Sequence, residues 1–202
     1  MIVYGASGHG KVIIDIITAL HLKIDQVLDD NPEIAALQNY QVGQKLDDSL
    51  KDSEVVIAVG NNGIRKRISE KNMNFCDALV HPSAVVSDSV KLLKGTVVMA
   101  NAVINASTSI GKHCIINSGS IVEHDVEIGD FSHISPGAII TGNVSIGEGT
   151  HIGAGATIIP GIKIGNWATI GAGAVIIENV PDFAVVVGNP GKIIKFNKTT
   201  HE

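Results

Sequence analysis

The tripeptide Glu123-His124-Asp125 is the segment best suited to acid–base chemistry, because its histidine is flanked by two carboxylates. An imidazole with an unperturbed pKa of about 6.5 can accept a proton at neutral pH. A carboxylate that holds the second ring nitrogen fixes the tautomer and stabilises the imidazolium that forms. Asp125 and Glu123 are equally close in sequence, so the segment predicts a general base whose partner is one or the other.

The sequence around this tripeptide repeats every six residues. An aliphatic residue stands at each sixth position from Val80 to Ile176, and a small or β-branched residue follows four positions later. Period six fits neither a helix nor a simple strand, whereas a coil of three short strands repeating every eighteen residues fits it well. The pattern therefore predicts a parallel β-helix with the aliphatic side chains inside and glycine-rich corners.

Positions eighteen residues apart should stack on adjacent coils of this β-helix. His124 is then flanked by Ala106 and Gly142, whose small size leaves a slot beside the imidazole, and His133 stacks on His151. His124 and His133 are nine residues apart, half a coil, which places them on different sides of one prism. A ligand that touches both is expected to lie between two chains.

The first 78 residues follow a different pattern, typical of a small βαβ layout with a parallel sheet. The expected elements are strands at 2–4, 26–28 and 55–59 and helices at 11–20 and 64–71. A ligand crevice is expected beyond the carboxyl ends of the strands. The predicted domain boundaries are 1–78 for this lobe, 79–182 for the β-helix and 183–202 for a C-terminal cap and tail.

The glycine turn after the first strand is suited to an anion. A turn that opens a helix presents backbone N–H groups, so a diphosphate can lie over Ser7, Gly8 and His9. Asp29 follows about twenty residues later, where an acidic residue often meets a ribose or base. The spacing G-x-x-G-x-G differs from the G-x-G-x-x-G of NAD-binding folds. A nucleotide-linked ligand is therefore favoured over dinucleotide redox chemistry, with a purely structural turn as the remaining interpretation.

Composition narrows the function classes. The net charge of −5 argues against general nucleic-acid binding. No apolar run approaches the ~20 residues of a membrane span, and the start lacks a signal-peptide pattern, so we expect a cytoplasmic protein. Cys76 and Cys114 have no metal-ligand spacing, and Cys114 falls on an inward position of the repeat. We expect inert thiols and no metal.

The other histidines are not expected to be catalytic. His81 is placed at the domain junction, His113 and His151 on exposed coil positions, and His21 and His201 at the surface or terminus. The cluster Arg65-Lys66-Arg67 has two interpretations, a phosphate contact or an exposed helical face.

The combined motifs resemble one group of enzymes, the bacterial sugar acetyltransferases. The residues that carry the resemblance are Tyr4-Gly5-Ala6-Ser7-Gly8-His9-Gly10, Leu28-Asp29-Asp30, Gly60-Asn61-Asn62, Glu123-His124-Asp125 and Phe131-Ser132-His133. The subgroup most similar is the UDP-4-amino-sugar N-acetyltransferases of bacillosamine synthesis, which carry Glu where this chain has Asp125. The wider family includes sialic acid O-acetyltransferases.

The resemblance implies an α/β Rossmann-like lobe followed by a left-handed parallel β-helix, assembled as a homotrimer with acetyl-CoA between neighbouring prisms. It assigns catalytic roles to His124, as the general base, and to Asp125 and Asn117. It assigns acetyl-CoA binding to His133, Gly142, Ala154 and Ala172. It assigns nucleotide-sugar binding to Ser7, Gly8, His9, Asp29, Asp30, Gly60, Asn61 and Arg65.

Three functions remain open from the sequence. The leading one is acetyl-CoA-dependent N-acetylation of a nucleotide-linked amino-sugar. The resemblance implies a UDP-4-amino-4,6-dideoxy sugar, and the sequence leaves both UDP and GDP open as the carrier. O-acetylation of a sugar of the sialic acid type uses the same base and donor, because an alcohol and an amine are both activated by proton removal. A noncatalytic β-helix scaffold is the third alternative.

Overall fold

The structure is a computed structural model that describes residues 1–197. Its N-terminal lobe is a five-stranded sheet with strand order β3-β4-β2-β1-β5. The elements of the lobe are β1 (Ile2–Tyr4), α1 (Gly8–Ala19), β2 (Gln26–Leu28), β3 (Ala36–Leu37), β4 (Tyr40–Gly43), a 3₁₀ turn (Asp48–Leu50), β5 (Val55–Ile57) and α2 (Asn62–Ser69). Strand β1 pairs in parallel with both β2 and β5, as the βαβ layout predicts.

Two features of the lobe differ from the expectation. Helix α1 begins at Gly8, earlier than expected, and Gly10 allows its close packing because a Cβ there would lie 2.6 Å from the carbonyl oxygen of Gly5. The antiparallel hairpin of β3 and β4 was not expected. Its turn at Gln38-Asn39 lacks the glycine typical of two-residue hairpin loops, so the sequence carried little signal for it.

Beyond the lobe, the described chain is a three-sided parallel β-helix closed by one antiparallel strand, and its strands stack into three faces. The first face contains β6 (Leu79–Val80), β9 (Val97–Val98), β12 (Ile115–Ile116), β15 (His133–Ile134), β18 (His151–Ile152), β21 (Thr169–Ile170), β23 (Ala184–Val187) and β24 (Lys192–Phe196). The second face contains β7 (Val85–Val86), β10 (Val103–Ile104), β13 (Ile121–Val122), β16 (Ile139–Ile140), β19 (Thr157–Ile158) and β22 (Val175–Ile176). The third face contains β8 (Lys91–Leu92), β11 (Ser109–Ile110), β14 (Glu127–Ile128), β17 (Ser145–Ile146) and β20 (Lys163–Ile164).

The six-residue repeat places its aliphatic side chains in one continuous core. The series from Val98 to Ile176 is buried in a single cluster, and Val80, Val86 and Leu92 of the first coil pack against it while half-buried. Strands eighteen residues apart pair in parallel, for example Ile116 with Ile134. Because no coil can cover its own apolar surface, stability comes from the stack. The predicted fold class, a Rossmann-like lobe followed by a hexapeptide-repeat β-helix, is confirmed.

The lobe packs on the first face of the β-helix. Ile13 and Ile17 of α1 share a buried cluster with Val97, Met99 and Ile115, which project from that face. We name the corners of the prism by the faces that they join: first-second, second-third and third-first. None of the helices in residues 1–197 has the length and hydropathy needed to cross a membrane.

Candidate active site

His124 lies at the second-third corner, where the following residue holds its ring. Nδ1 of His124 is 2.8 Å from Oδ2 of Asp125, and both side chains are about half exposed. Asp125 adopts a left-handed backbone conformation (φ 57°), which Asp tolerates better than most residues. Glu123 instead accepts a hydrogen bond from Nδ2 of Asn105 (2.9 Å). The carboxylate that orients His124 is therefore Asp125, and Nε2 of the imidazole makes no hydrogen bond within residues 1–197.

Gly142, on the next coil, makes room for this imidazole. A Cβ at that position would lie 2.7 Å from Cε1 and 2.9 Å from Nε2 of His124, closer than ordinary van der Waals contact. The predicted slot between small neighbours is thus occupied by the ring itself, which leans over the next coil. The backbone is held in the stack, since the N–H of Asp125 bonds to Ala106 (3.0 Å) and the carbonyl of His124 accepts from Asn143 (3.1 Å).

The other β-helix residues assigned from the resemblance lie elsewhere. Asn117, Ala154 and Ala172 follow first-face strands and lie at the first-second corner. Nδ2 of Asn117 is 3.0 Å from Nε2 of His133, while Oδ1 of Asn117 accepts the N–H of Ser118 (2.8 Å). Because the second bond fixes the orientation of the amide, Asn117 donates to Nε2 and the neutral His133 carries its proton on Nδ1.

The predicted crevice residues of the lobe meet at one edge of its sheet. They follow β1 (Ser7, Gly8, His9), β2 (Asp29, Asp30) and β5 (Gly60, Asn61). The side chain of Ser7, the residue before α1, makes no capping bond. The first N–H groups of α1 therefore have no side-chain acceptor from Ser7, and such groups favour an anion.

The two crevice aspartates already make contacts within the lobe. Oδ2 of Asp29 accepts the N–H of Ala6 (2.7 Å), which ties the glycine turn to the end of β2. The carboxylate of Asp30 accepts from the Tyr4 hydroxyl and pairs with Nζ of Lys71 (3.2 Å). The Tyr4 hydroxyl, followed by Lys71, lowers the pKa of Asp30. The lowered pKa keeps Asp30 ionised at neutral pH, and Asp29 shapes the turn where an anion would lie.

Three histidines gather where the crevice meets the first face. The rings of His133 and His151 are 4.9 Å apart, as the eighteen-residue spacing predicts. Burial lowers the pKa of His9 to about 4 and, with the neighbouring His151 and Arg65, the pKa of His133 to about 3. Burial also lowers the pKa of His151. At neutral pH these three imidazoles are therefore uncharged. Within residues 1–197, no group of three or more His, Cys, Asp or Glu side chains is arranged to hold a metal ion.

The structure corrects the assignment of Arg65. Arg65 was expected to meet the nucleotide-sugar or to lie on an exposed helical face, but it is only 1% exposed. Its guanidinium donates to backbone carbonyls of both the lobe and the β-helix. The side chain is not free to bind a phosphate in the crevice. The sequence could not indicate which side of α2 would pack on the β-helix.

The structure also contradicts the expectation that two histidines are exposed. His113 was expected on an exposed coil position, yet it is 5% exposed, packed edge-on against Phe75 (4.8 Å) and stacked on Phe131 (5.6 Å). His151 is half-buried for the same reason, that the lobe covers this side of the prism. The expectation for His201 lies outside the described residues.

The lobe and His124 lie on opposite sides of the β-helix. The lobe covers the first face, and the second-third corner is the corner of a three-sided prism that faces away from it. His124 and Gly142 lie at that corner, whereas Asn117 and His133 lie beside the lobe. Within one chain, the candidate base is thus separated from the candidate acceptor crevice by the width of the β-helix.

A cavity of about 570 Å³ opens between the start of α2 and the β-helix. Gly60 and Asn61 of the crevice line it together with the aromatic side chains of Trp167 and Phe183, and His124 is not among its lining residues. The sequence did not single out either aromatic residue, because an isolated corner residue of a hexad belongs to no motif. The cavity extends the crevice along the side of the prism.

Known families match both parts of the chain. Residues 1–72 match the PglD N-terminal domain family, and residues 107–142 and 143–178 match the bacterial transferase hexapeptide (six repeats) family. The chain is also 39% identical over 113 residues to UDP-N-acetylbacillosamine N-acetyltransferase from Bacillus subtilis. That alignment covers 48% of this chain and 50% of the relative, so the chain spans about half the length of this curated relative.

Solved structures match the whole arrangement. Perosamine N-acetyltransferase from Caulobacter crescentus, a histidine-to-asparagine mutant in complex with CoA and GDP-perosamine, is 34% identical, with 96% of each chain covered and a TM-score of 0.89. The acetyltransferase domain of PglB from Neisseria gonorrhoeae, in complex with acetyl coenzyme A, is 36% identical over 96% of this chain and 98% of that chain, with a TM-score of 0.85. The chain belongs to this family of bacterial sugar N-acetyltransferases.

Proposed function

We propose that the protein is an acetyl-CoA-dependent N-acetyltransferase that acts on the amino group of a nucleotide-linked amino-sugar. The lobe holds the nucleotide-sugar at Ser7, Gly8 and His9, and His124 accepts the proton that the sugar amine loses as it attacks the thioester. Asp125 holds Nδ1 of the ring and stabilises the imidazolium. The products are the amide, free CoA and the proton carried away by the imidazole.

The observation that carries the proposal is the His124–Asp125 pair at a half-exposed corner, combined with an anion-binding turn in the lobe. A noncatalytic scaffold would not need an imidazole whose Nδ1 is held by a carboxylate and whose Nε2 has no hydrogen-bond partner. Similarity to proteins whose structures contain CoA with GDP-perosamine, or acetyl coenzyme A, supports the choice of donor and acceptor class.

The site is proposed to form between two copies of the chain in a homotrimer. His124 faces away from its own lobe, so it can act only on a nucleotide-sugar held by the lobe of a neighbouring copy. In such an assembly the second-third corner of one prism approaches the first-second corner of the next, which carries Asn117, Ala154 and Ala172. Acetyl-CoA would lie in the groove between the two corners. Both cysteines are unpaired thiols, which supports a cytoplasmic, reducing location.

A complementation experiment tests activity and arrangement together. His124→Asn removes the base. Gly8→Asp places a negative charge in the first turn of α1, where nothing lies within 4 Å of the new Cβ, so the helix tolerates it and a diphosphate is repelled. Each variant alone should lose roughly 10²–10⁴-fold of acetyl transfer to UDP- or GDP-linked 4-amino-sugars.

Mixed trimers of the two variants give the deciding result. If base and crevice come from neighbouring copies, random mixing in equal amounts restores roughly a quarter of the sites. If each site lies within one chain, mixing restores none. His21→Asn, a change at an exposed histidine of the lobe, is the matched control and should leave turnover unchanged. Acetylation of free sialic acid with indifference to every nucleotide-sugar would favour O-acetylation instead.

A further inference from the structure

The coil stack does not use the backbone carbonyls of the positive-φ residues at its corners, and the lobe lies against one row of them. His113, Phe131, Gly149 and Trp167 are eighteen residues apart and lie at the third-first corner, each with a positive φ. Among the described residues, none of these four carbonyls accepts a backbone N–H from another coil. We call them the corner carbonyl row. The carbonyl of Trp167 accepts from Nδ2 of Asn197 (3.3 Å). Buried carbonyls without a partner are costly, so the other three require donors from outside the coil stack.

Helix α2 of the lobe supplies those donors for three consecutive coils. Nε of Arg65 donates to the carbonyl of His113 (2.7 Å), and Nη2 donates to that of Phe131 (2.7 Å). Nδ2 of Asn62 donates to the carbonyl of Gly149 (2.9 Å). One guanidinium therefore spans two coils, which are about 4.8 Å apart in stacked strands, and a side chain one helical turn earlier reaches the third.

The same guanidinium also binds the lip of the crevice, by which we mean Val59 and Gly60. Nη1 of Arg65 donates to the carbonyls of Val59 (3.0 Å) and Gly60 (3.1 Å), at the end of β5. Nη2 also donates to Oδ1 of Asn62 (2.8 Å), which couples the two side chains. All the donors of Arg65 are used, and no carboxylate is among their acceptors. Since burying a cation without a counter-ion is unfavourable, an apolar residue would join two domains at less cost.

We propose that Arg65, together with Asn62, is a positioning residue that sets the register of the lobe along the β-helix by binding the corner carbonyl row. The inference rests on the proposed function, because the register decides the height at which the crevice presents an amino-sugar to His124 of the neighbouring copy. A slip of one coil would move the crevice by about 4.8 Å. A misplacement of even about 1 Å can cost on the order of 10²-fold in rate.

The test compares Arg65→Lys with Arg67→Lys. Lysine keeps the charge at residue 65 but offers three donors from one point, so it cannot hold two coils and the crevice lip together. Arg67 lies on the exposed side of the same helix and makes the matched control. For Arg65→Lys we expect kcat/KM for the nucleotide-sugar to fall roughly 10–100-fold, with the KM for acetyl-CoA within about twofold of the unchanged protein. Arg67→Lys should match the unchanged protein in both.

A second readout is independent of activity. Trp167 is the only tryptophan of the chain, and Nζ of Lys66 on α2 lies 5.4 Å from the centre of its ring. Quenching of its fluorescence by acrylamide should increase in Arg65→Lys and Asn62→Ala, and not in Arg67→Lys. This measurement stands even if no nucleotide-sugar is turned over, so failure of the proposed function is separable from failure of the positioning role.

The outcomes are decisive in both directions. A fall in kcat/KM for the nucleotide-sugar with increased quenching in a folded protein supports the role of Arg65. Unchanged kinetics and unchanged quenching in Arg65→Lys would overturn it. Equal losses for both substrates in proportion to the unfolded fraction, measured by thermal unfolding, would also overturn it, because they would show that Arg65 only stabilises the fold.

Discussion

Replacing Gly142 with alanine should displace the candidate base without disturbing the fold. The backbone of Gly142 is not in the left-handed region, and the atoms nearest the new Cβ all belong to the ring of His124. The new methyl group would lie 2.7 Å from Cε1 of His124, whereas ordinary contact begins near 3.4 Å. The ring must therefore retreat by roughly 0.7 Å, since close-packed atoms cannot overlap.

The expected magnitude follows from this displacement. A shift of about 1 Å in a reacting group can cost on the order of 10²-fold, so Gly142→Ala should lower kcat by roughly 10–50-fold. The loss should appear in acetyl transfer to a nucleotide-linked amino-sugar, measured from the release of CoA. The melting temperature should stay close to that of the unchanged protein, because the ring is half exposed and can turn outward.

A double-mutant cycle isolates the cause. In a His124→Ala background there is no ring to displace, so adding Gly142→Ala should change the residual rate by less than about twofold. If Gly142→Ala were as harmful without the imidazole as with it, the glycine would serve acetyl-CoA directly. The reasoning about the base would then be refuted.

Two further predictions concern ionisation. Burial, followed by the charge of Arg65, lowers the pKa of His113 to about 4, while an unfolded imidazole titrates near 6.5. Between these values the unfolded chain binds more protons, so the free energy of unfolding should fall as pH drops from about 7 to about 4, by up to ~3 kcal/mol for this residue. Urea unfolding at several pH values measures it, and His113→Leu should flatten the profile; an equally steep profile in that variant would contradict the assignment. Burial raises the pKa of Cys76 and Cys114 to about 12, so a thiol reagent at pH 8 should modify neither in the folded protein and both after denaturation. Rapid labelling of the native protein would show that the β-helix core is open.

The sequence alone determined the elements whose signal is local and repeated. The period of six fixed the β-helix, because each aliphatic residue faces the same interior whatever lies outside the prism. The glycine turn and the aspartates after β2 indicated a crevice, because parallel strands bring their carboxyl ends to one edge. The inward position of Cys114 followed from the same period. His124 stood out through its two acidic neighbours.

Only the tertiary structure decided what depends on how the lobe and the prism meet. The choice of Asp125 over Glu123 follows from a left-handed corner and from a bond of Glu123 to the adjacent coil, neither of which is visible in a tripeptide. The burial of His113 and the role of Arg65 follow from which face the lobe covers. The contacts of Arg65 with the β-helix join residues between 48 and 67 positions apart, and they depend on backbone carbonyls, which every residue type possesses. A sequence pattern carries no signal for such acceptors, so the docking that separates His124 from its own crevice became apparent only in three dimensions.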